Sequence, residues 1–419
     1  MNDFKIDYSA CKTSPDHSIM AKVENFHNHF LIHERKGLNI YARSPMVSAC
    51  DREVEIQDRH TGASRKMLMF GSNSYINATN WPSAINRAIE VIKKYGIGTG
   101  GVPLLSGTSI HQNELEKAIS SLLGFDDTIL FSSGFTANIG ALVGLVRPNN
   151  LLVFDKLNHA SLIDGAVMSG AKMTRYLHSD MTSLEKVLKQ NAIDYPGGIM
   201  VVTDGVFSMD GDLANLPELV RITKKYNALL LIDDAHATGV IGKDGAGTLS
   251  HFGIEERDNI IVTGTLSKAI GTVGGFITAN QKIIDYLRVY ARSNMYSTSL
   301  PQSVCVSAYE VIKQFNKSEL RKALIRNHVY IRSNLRDMGF NTLQSVTPII
   351  PVVIGDELVL TNMIKKIYDQ GIFVNAIFPP VVPPKMCRIR IGVMSCHTRN
   401  DCDKLIEVFC KVGKEYGVI

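Results

Sequence analysis

Leu231-Ile232-Asp233-Asp234-Ala235-His236 and, further along, Gly264-Thr265-Leu266-Ser267-Lys268 are the two stretches that decide how this chain is read. A lysine among small and hydroxylated neighbours suits an aldehyde cofactor held through a Schiff base. A desolvated amine near a cationic ring has a lowered pKa and becomes a usable nucleophile and base. Asp233 ends an apolar run, where a carboxylate can keep a pyridine nitrogen protonated through a charge-assisted hydrogen bond. Thr265 is read one helical turn before Lys268, with its hydroxyl in reach of a phosphate. His236 follows Asp233 closely enough to approach a phenolic oxygen. An isolated lysine is ordinarily a surface residue, and an isolated Asp-x-x-His a structural turn. Together the two stretches point to pyridoxal 5′-phosphate (PLP), an electron sink set against a substrate.

Working outward, short apolar runs alternate with helical segments. The runs are Thr128–Phe131, Leu151–Phe154, Ile199–Val202, Ala228–Ile232, Ile260–Val262 and Gly275–Ile277. Continuous apolar strands between helices imply an α/β architecture with a buried, mostly parallel sheet. Ligands in such sheets bind beyond the carboxyl ends of the strands, where Asp204, Asp233 and the residues after Phe131 fall. Upstream, residues 1–16 read as a loose leader and 17–37 as a helix ending near Gly37. Residues 39–72 read as strands around a Thr61-Gly62 turn. From about residue 306 a long helix leads into a smaller α+β unit with strands over 349–354 and 388–393. The expected division is an N-terminal arm over 1–75, a large domain over 76–305 and a C-terminal domain over 306–419.

The 419 residues are 45% hydrophobic and 20% charged, ample for a large core, and the net charge of +5 is spread along the chain. Lys224-Lys225 and Lys365-Lys366 are short pairs that suit solvated helix faces and argue against nucleic acid. The seven cysteines contain no C-x-x-C pair, which indicates reduced thiols and a cytoplasmic protein. No stretch approaches the ~18 apolar residues of a membrane span; a peripheral membrane contact stays open. His27, His29 and His33 lack accompanying carboxylates or cysteines in a metal-binding pattern, so no metal is expected.

Other segments admit a structural and a chemical reading. Gly96-Ile97-Gly98-Thr99-Gly100-Gly101 is a tight turn or a backbone passing close to a ligand or partner subunit. Ser132-Ser133-Gly134-Phe135-Thr136-Ala137-Asn138 is a helix N-cap or a phosphate site. His159, in Asn158-His159-Ala160-Ser161, is a hydrogen-bonded histidine or a ring stacked on a flat cofactor. Asp204-Gly205-Val206-Phe207-Ser208-Met209-Asp210-Gly211-Asp212 is a polar turn, or places Asp204 and Ser208 at a cofactor edge. Arg388-Ile389-Arg390 lies on a strand, with both arginines on one face. They face solvent, or one binds a carboxylate through paired hydrogen bonds.

In order along the chain these segments resemble the α-oxoamine synthases, a branch of the fold-type I PLP enzymes. The resemblance spans roughly residues 37–415. It rests on Ser72-Asn73-Ser74-Tyr75, on Ser106-Gly107-Thr108 with His111 and Leu115-Glu116, and on Ser133 to Asn138. His159-Ala160-Ser161, Asp204 to Asp212, Asp233-Asp234-Ala235-His236 and Thr265 to Lys268 continue it. Ser297-Thr298-Ser299-Leu300-Pro301 and Arg390 before His397-Thr398 complete it.

The resemblance implies a large domain with a mostly parallel seven-stranded sheet, and a decarboxylative condensation of an α-amino acid with an acyl thioester. It implies that Lys268 carries the cofactor and moves the proton, that Asp233 holds the ring nitrogen and that His159 stacks on the ring. His236 and Ser208 would sit near the phenolic oxygen, with Asp204 at the cofactor edge. Ser133, Gly134, Phe135 and Thr265 would bind the phosphate. Thr298 would reach the phosphate of a neighbouring subunit in a homodimer whose active site lies at the interface. Arg390 would take the amino-acid carboxylate, and Asn73 and Tyr75 would border the substrate pocket. Val102-Pro103 replaces the Ser-Arg-like pair of many relatives. Phe378 stands where some biotin-pathway and sphingolipid-pathway members carry arginine. The leading expectation is a serine palmitoyltransferase-like enzyme. The alternative is a glycine or alanine C-acyltransferase, like 8-amino-7-oxononanoate synthase or 2-amino-3-ketobutyrate CoA ligase. An aminotransferase and a non-catalytic partner subunit are the remaining readings.

Overall fold

The structure, a computed structural model, describes residues 18–35, 44–58, 61–317 and 319–419. The leader expected over 1–16, and the helix end expected near Gly37, lie outside the described residues. The described residues form two compact units: Ser74–Ser208 with Asp212–Lys322, and the residues up to Asn73 with Met209–Gly211 and Ala323–Ile419.

The strands in chain order are β1 (Glu53–Gln57), β2 (Ser64–Met69), β3 (Asp127–Phe131), β4 (Leu151–Asp155), β5 (Lys172–Tyr176), β6 (Ile199–Asp204) and β7 (Leu229–Asp233). They continue as β8 (Ile260–Thr265), β9 (Gly275–Ala279), β10 (Ile349–Val353), β11 (Ile372–Phe373), β12 (Asn375–Ile377) and β13 (Arg388–Gly392).

The larger unit holds a seven-stranded sheet of order β3-β9-β8-β7-β6-β4-β5. Its β9 runs antiparallel to β3 and β8, while the other pairings are parallel. Every residue of β4, β6 and β8 is buried, as expected when helices cover both faces of a sheet. On one face Ala137, Ala141 and Leu142 of the helix Gly134–Leu145 pack with Leu162 and Ala166 of Ala160–Ser169. Beneath them lie Phe131, Phe154, Val202, Leu231 and Ile261 from the strands. The apolar runs in the sequence match these central strands. β5 is not among those runs, because it is an edge strand whose Lys172, Met173 and Arg175 are exposed.

The single long helix expected near 306 is two helices, Gln302–Ile312 and Glu319–Asp337. The first straddles the boundary expected at 305 and packs in the larger unit against Pro82–Tyr95 and Ile110–Leu123.

In the smaller unit β1 and β2 pair antiparallel, and β11 adds to β2 in parallel. The expected Thr61-Gly62 turn joins the hairpin: Asp58 Oδ1 accepts from Thr61 N at 2.8 Å, and Gly62 takes φ 72°. A second sheet runs β10-β13-β12, antiparallel throughout. Val54, Ile56, Met67, Met69 and Met394 form the apolar cluster of this unit. Among the described residues no helix is long and apolar enough to cross a membrane.

The central strands fix where the catalytic loops begin, so their packing bears on function. Leu231 of β7 is fully buried. Leu231→Ala is expected to cost about 2–5 kcal/mol, the transfer term plus the cavity, read as a lowered urea midpoint at unchanged slope.

Candidate active site

At the carboxyl end of the sheet a cavity of ≈ 270 Å³ is lined by residues from β6, β7 and β8, the turn after β4 and the start of the helix Gly134–Leu145. One end is a helix N-terminus. Ser133 caps it: its Oγ accepts from Thr136 N at 3.1 Å while Thr136 Oγ1 accepts from Ser133 N at 3.0 Å. First-turn N–H groups have no acceptor within their own helix and favour an anion. Ser133, Gly134, Phe135, Thr265 and Ser267 line this end. Gly134 lies so near β8 that a Cβ there would come within 3.0 Å of Thr265 Cβ. The capping and ligand readings of this segment are therefore compatible.

The middle of the cavity is a chain of buried hydrogen bonds. Asn138 Nδ2 donates to Asp233 Oδ2 at 2.7 Å and to Ser161 Oγ at 2.8 Å. Thr263 Oγ1 donates to Asn138 Oδ1 at 2.6 Å, which sets the orientation of the amide. Ala235 N donates to Asp233 Oδ1 at 2.9 Å. Ser161 Oγ lies 2.7 Å from His159 Nδ1, and Ser161 N donates to the same nitrogen at 3.3 Å. Since Nδ1 accepts, the neutral ring carries its proton on Nε2. Burial lowers the pKa of His159; Asp233 opposes that shift and Lys268 adds to it. The ring is thus neutral, and its orientation is fixed.

Asp204 stands opposite Asp233 in the β6–β7 register. Burial, with Asp233 beside it, holds its carboxyl well above the usual range, and its Oδ1 accepts from His159 N at 3.1 Å. Asp234, the neighbour of Asp233, points elsewhere: its carboxylate takes Thr248 N at 2.8 Å and Thr248 Oγ1 at 2.6 Å. Burial pushes it up to about 6 against those bonds. His236 Nδ1 lies 2.6 Å from the hydroxyl of the buried Tyr75. Lys268 lines the cavity from a turn past the end of β8. The helical turn expected between Thr265 and Lys268 is absent, because Thr265 is the last residue of the strand and Ser267 N folds back to its Oγ1 at 3.2 Å.

The cavity thus gathers Ser133, Gly134, Phe135, His159, Asp204, Asp233, His236, Thr265 and Lys268, and Tyr75 reaches it through His236. Ser208 does not line it. After β6 the chain turns at an antiparallel bridge, Val206 to Leu213, and Val206 faces the cavity instead. Thr298 is exposed and borders a separate small cleft with Pro103, Ser132 and Ser299. In the smaller unit Arg388 and Arg390 are 2% and 4% exposed, so the solvent-facing reading fails for both. Arg388 is held by Asp210 Oδ1 at 2.9 Å and the Met209 carbonyl at 3.0 Å, whereas Arg390 donates to Asn73 Oδ1 at 3.0 Å. Asn138, Ser161, Val206, Ala235 and Ser267 are the lining residues to which the sequence assigned no role. Asn138 and Ser161 are found only through a fold that brings them to Asp233.

The family model for aminotransferase class I and II matches residues 65–409. The chain is 39% identical over 389 residues to 8-amino-7-oxononanoate synthase of Thermoanaerobacter pseudethanolicus, covering 93% of this chain and 97% of that protein. The α-oxoamine synthases include this chain. Among solved structures, this synthase superposes on serine palmitoyltransferase of Sphingomonas wittichii with TM-score 0.87 and 30% identity, over 96% of this chain and 100% of that one. It superposes on 8-amino-7-oxononanoate synthase of Francisella tularensis with TM-score 0.73 and 25% identity, over 84% and 99%. The protein is a fold-type I, PLP-dependent C-acyltransferase.

The donor set of the cavity fits PLP. It offers a capped helix start for a phosphate, a carboxylate for a pyridinium, a fixed imidazole and a lysine. Asn138 is the testable element, because it orients Asp233 without adding charge. Asn138→Ala is expected to weaken PLP binding about tenfold, the loss of roughly one hydrogen bond to a charged group, measured by fluorescence titration of the apoprotein.

Proposed function

We propose that this synthase joins alanine or glycine to an acyl thioester with loss of carbon dioxide, in the manner of its 8-amino-7-oxononanoate synthase relatives. The observation that carries this reading is the 39% identity to such an enzyme across 93% of the chain, against 29% and 30% to the serine palmitoyltransferases of known structure. The amino-acid and acyl pockets are set by side chains, so identity weighs more here than backbone superposition. This displaces the serine palmitoyltransferase-like expectation as the leading reading. The relative's product, read by its own name, disconnects between C7 and C8. One side is alanine less its carboxyl; the other is an acyl chain ending in a carboxylate.

PLP, when bound, supplies an electron sink for the charge left when a bond to the amino acid's α-carbon breaks. The residues divide the remaining work. Lys268 would hold the cofactor through its Nζ, and that amine is placed to take and return the substrate's α-proton. Asp233, oriented by Asn138 and Ala235 N, would pair with the ring nitrogen. His159 presents a neutral face with its proton on Nε2. His236, steadied by Tyr75, would serve the phenolic oxygen, with Asp204 near that edge. Ser133, Gly134, Phe135 and Thr265 take the phosphate. Arg390, backed by Asn73, takes the substrate carboxylate. A second copy completes the site with Thr298, which is exposed beside a turn whose Leu105 is 83% exposed; the assembly is a homodimer.

Serine with a long acyl group is the second reading. It is favoured by the TM-scores, 0.87 against 0.73.

The wild-type protein with PLP is expected to be yellow and to release free thiol from an acyl thioester only when an amino acid is present. Lys268→Ala loses both the band and the turnover. An amino-acid panel against an acyl-length ladder separates the readings: highest kcat/KM with alanine or glycine supports the first, with serine the second. Keto-acid exchange without thiol release would refute both.

A further inference from the structure

Behind the cavity, His178 follows β5 and stands between two carboxylates. Its Nδ1 donates to Asp155 Oδ1 and its Nε2 to Asp212 Oδ2, each at 2.9 Å. Only the doubly protonated imidazolium can donate from both nitrogens. Burial lowers the pKa of this ring, but the bonds to Asp155 and Asp212 outweigh it and push it up to about 10. The Phe207 ring closes against it edge-on, 4.5 Å between centroids.

Each of these carboxylates anchors a turn that enters the cavity. Asp155 ends β4; its Oδ1 also accepts from Leu157 N and its Oδ2 from Ser179 N, both at 2.9 Å. That turn delivers His159. Asp212 closes the loop that leaves β6 at Asp204, with its carbonyl accepting from Phe207 N at 3.1 Å. That loop delivers Val206. The β4–β6 pairing stops at Phe154 and Val202, so beyond the sheet the two turns are joined by side chains and by the His159 N to Asp204 Oδ1 bond. The result is a closed circuit running from Asp155 to His159, across to Asp204, on to Asp212 and back through His178.

We propose that His178 is a positioning residue for the condensation: by tying Asp155 to Asp212 it fixes the tilt of the His159 ring and the place of Asp204 against the bound cofactor. It acts on the cavity from outside the lining, through two turns at once. The inference rests on the function proposed above, in which His159 faces the cofactor.

The test compares wild type, His178→Gln and His178→Arg as full-length protein with PLP. Glutamine cannot reproduce the paired donors that bridge the two carboxylates, whereas arginine can serve both. His178→Gln is expected to lower kcat about 10- to 100-fold, the range typical of groups that orient a functional ligand, with KM little changed. It should also weaken PLP binding to the apoprotein and shrink the visible circular dichroism of the bound cofactor, which reports ring tilt. His178→Arg should recover part of each. A merely structural role would lower Tm while leaving kcat and the visible dichroism at wild-type values, and that result overturns the proposal. Should His178→Gln fail to fold, Asp212→Ala keeps the Asp155 bond, removes the acceptor on the β6 loop and is read the same way. The affinity and dichroism need no acyl substrate. If wild type releases no thiol, the function reading fails while these measurements still judge His178.

Discussion

The site depends on holding two buried carboxylates side by side with different hydrogen-bond partners. Asp204 and Asp233 end neighbouring strands in register, and a carboxylate taken out of water tends to stay neutral unless it is hydrogen-bonded or paired. The protein treats the two differently. Asp233 receives an amide donor from Asn138 and a backbone donor from Ala235. Asp204 receives the His159 backbone and is held toward its neutral form. The two adjacent acids therefore sit in different hydrogen-bond environments.

Around that pair, fixed hydrogen-bond polarity spreads outward. Thr263 orients Asn138, Asn138 orients Ser161, and Ser161 sets the tautomer of His159. None of these links carries a formal charge, so each fixes a geometry at little desolvation cost. The ionic arrangement at His178 lies one layer further out, at the bases of the turns. There the side chain is 26% exposed, and a charged group is less costly to keep. Neutral bonds thus lie close to the chemistry and charged ones at the perimeter.

Much of this was legible in the sequence for a definite reason. Buried parallel strands must be apolar along their whole length, so the central strands show as runs, and the residues just after them mark the ligand end. Lys268, Asp233, His159, Asp204 and the Ser133–Phe135 helix start all fall near that end, and the family resemblance supplied their expected roles. β5 stayed hidden because it is largely exposed, unlike β3 at the other edge, whose residues after Asp127 are buried. The non-helical turn at Lys268 was misread because Thr265 and Lys268 have a spacing that also fits a helix. Asn138 and Ser161 were quoted in motifs but given no task, since their partners are distant in sequence and only the fold pairs them. Ser208 lies two residues beyond Val206, the residue of that loop that lines the cavity, because a bridge between Val206 and Leu213 sets the local path of the chain. The amino acid and acyl group were unreadable, because they turn on the shape of pockets and not on the type of any one residue.

The smaller unit is assembled from separated stretches of chain, one before Ser74, three residues at Met209–Gly211 and one after Lys322. No contiguous fragment contains it. During synthesis the larger unit has its last segment once Lys322 has emerged, but the arginine-bearing unit waits for the end of translation. A premature stop between Lys322 and Arg390 would therefore leave a molecule whose cavity lining is encoded in full and whose Arg390 is not. Such a truncated product is a candidate for a coloured but inert protein.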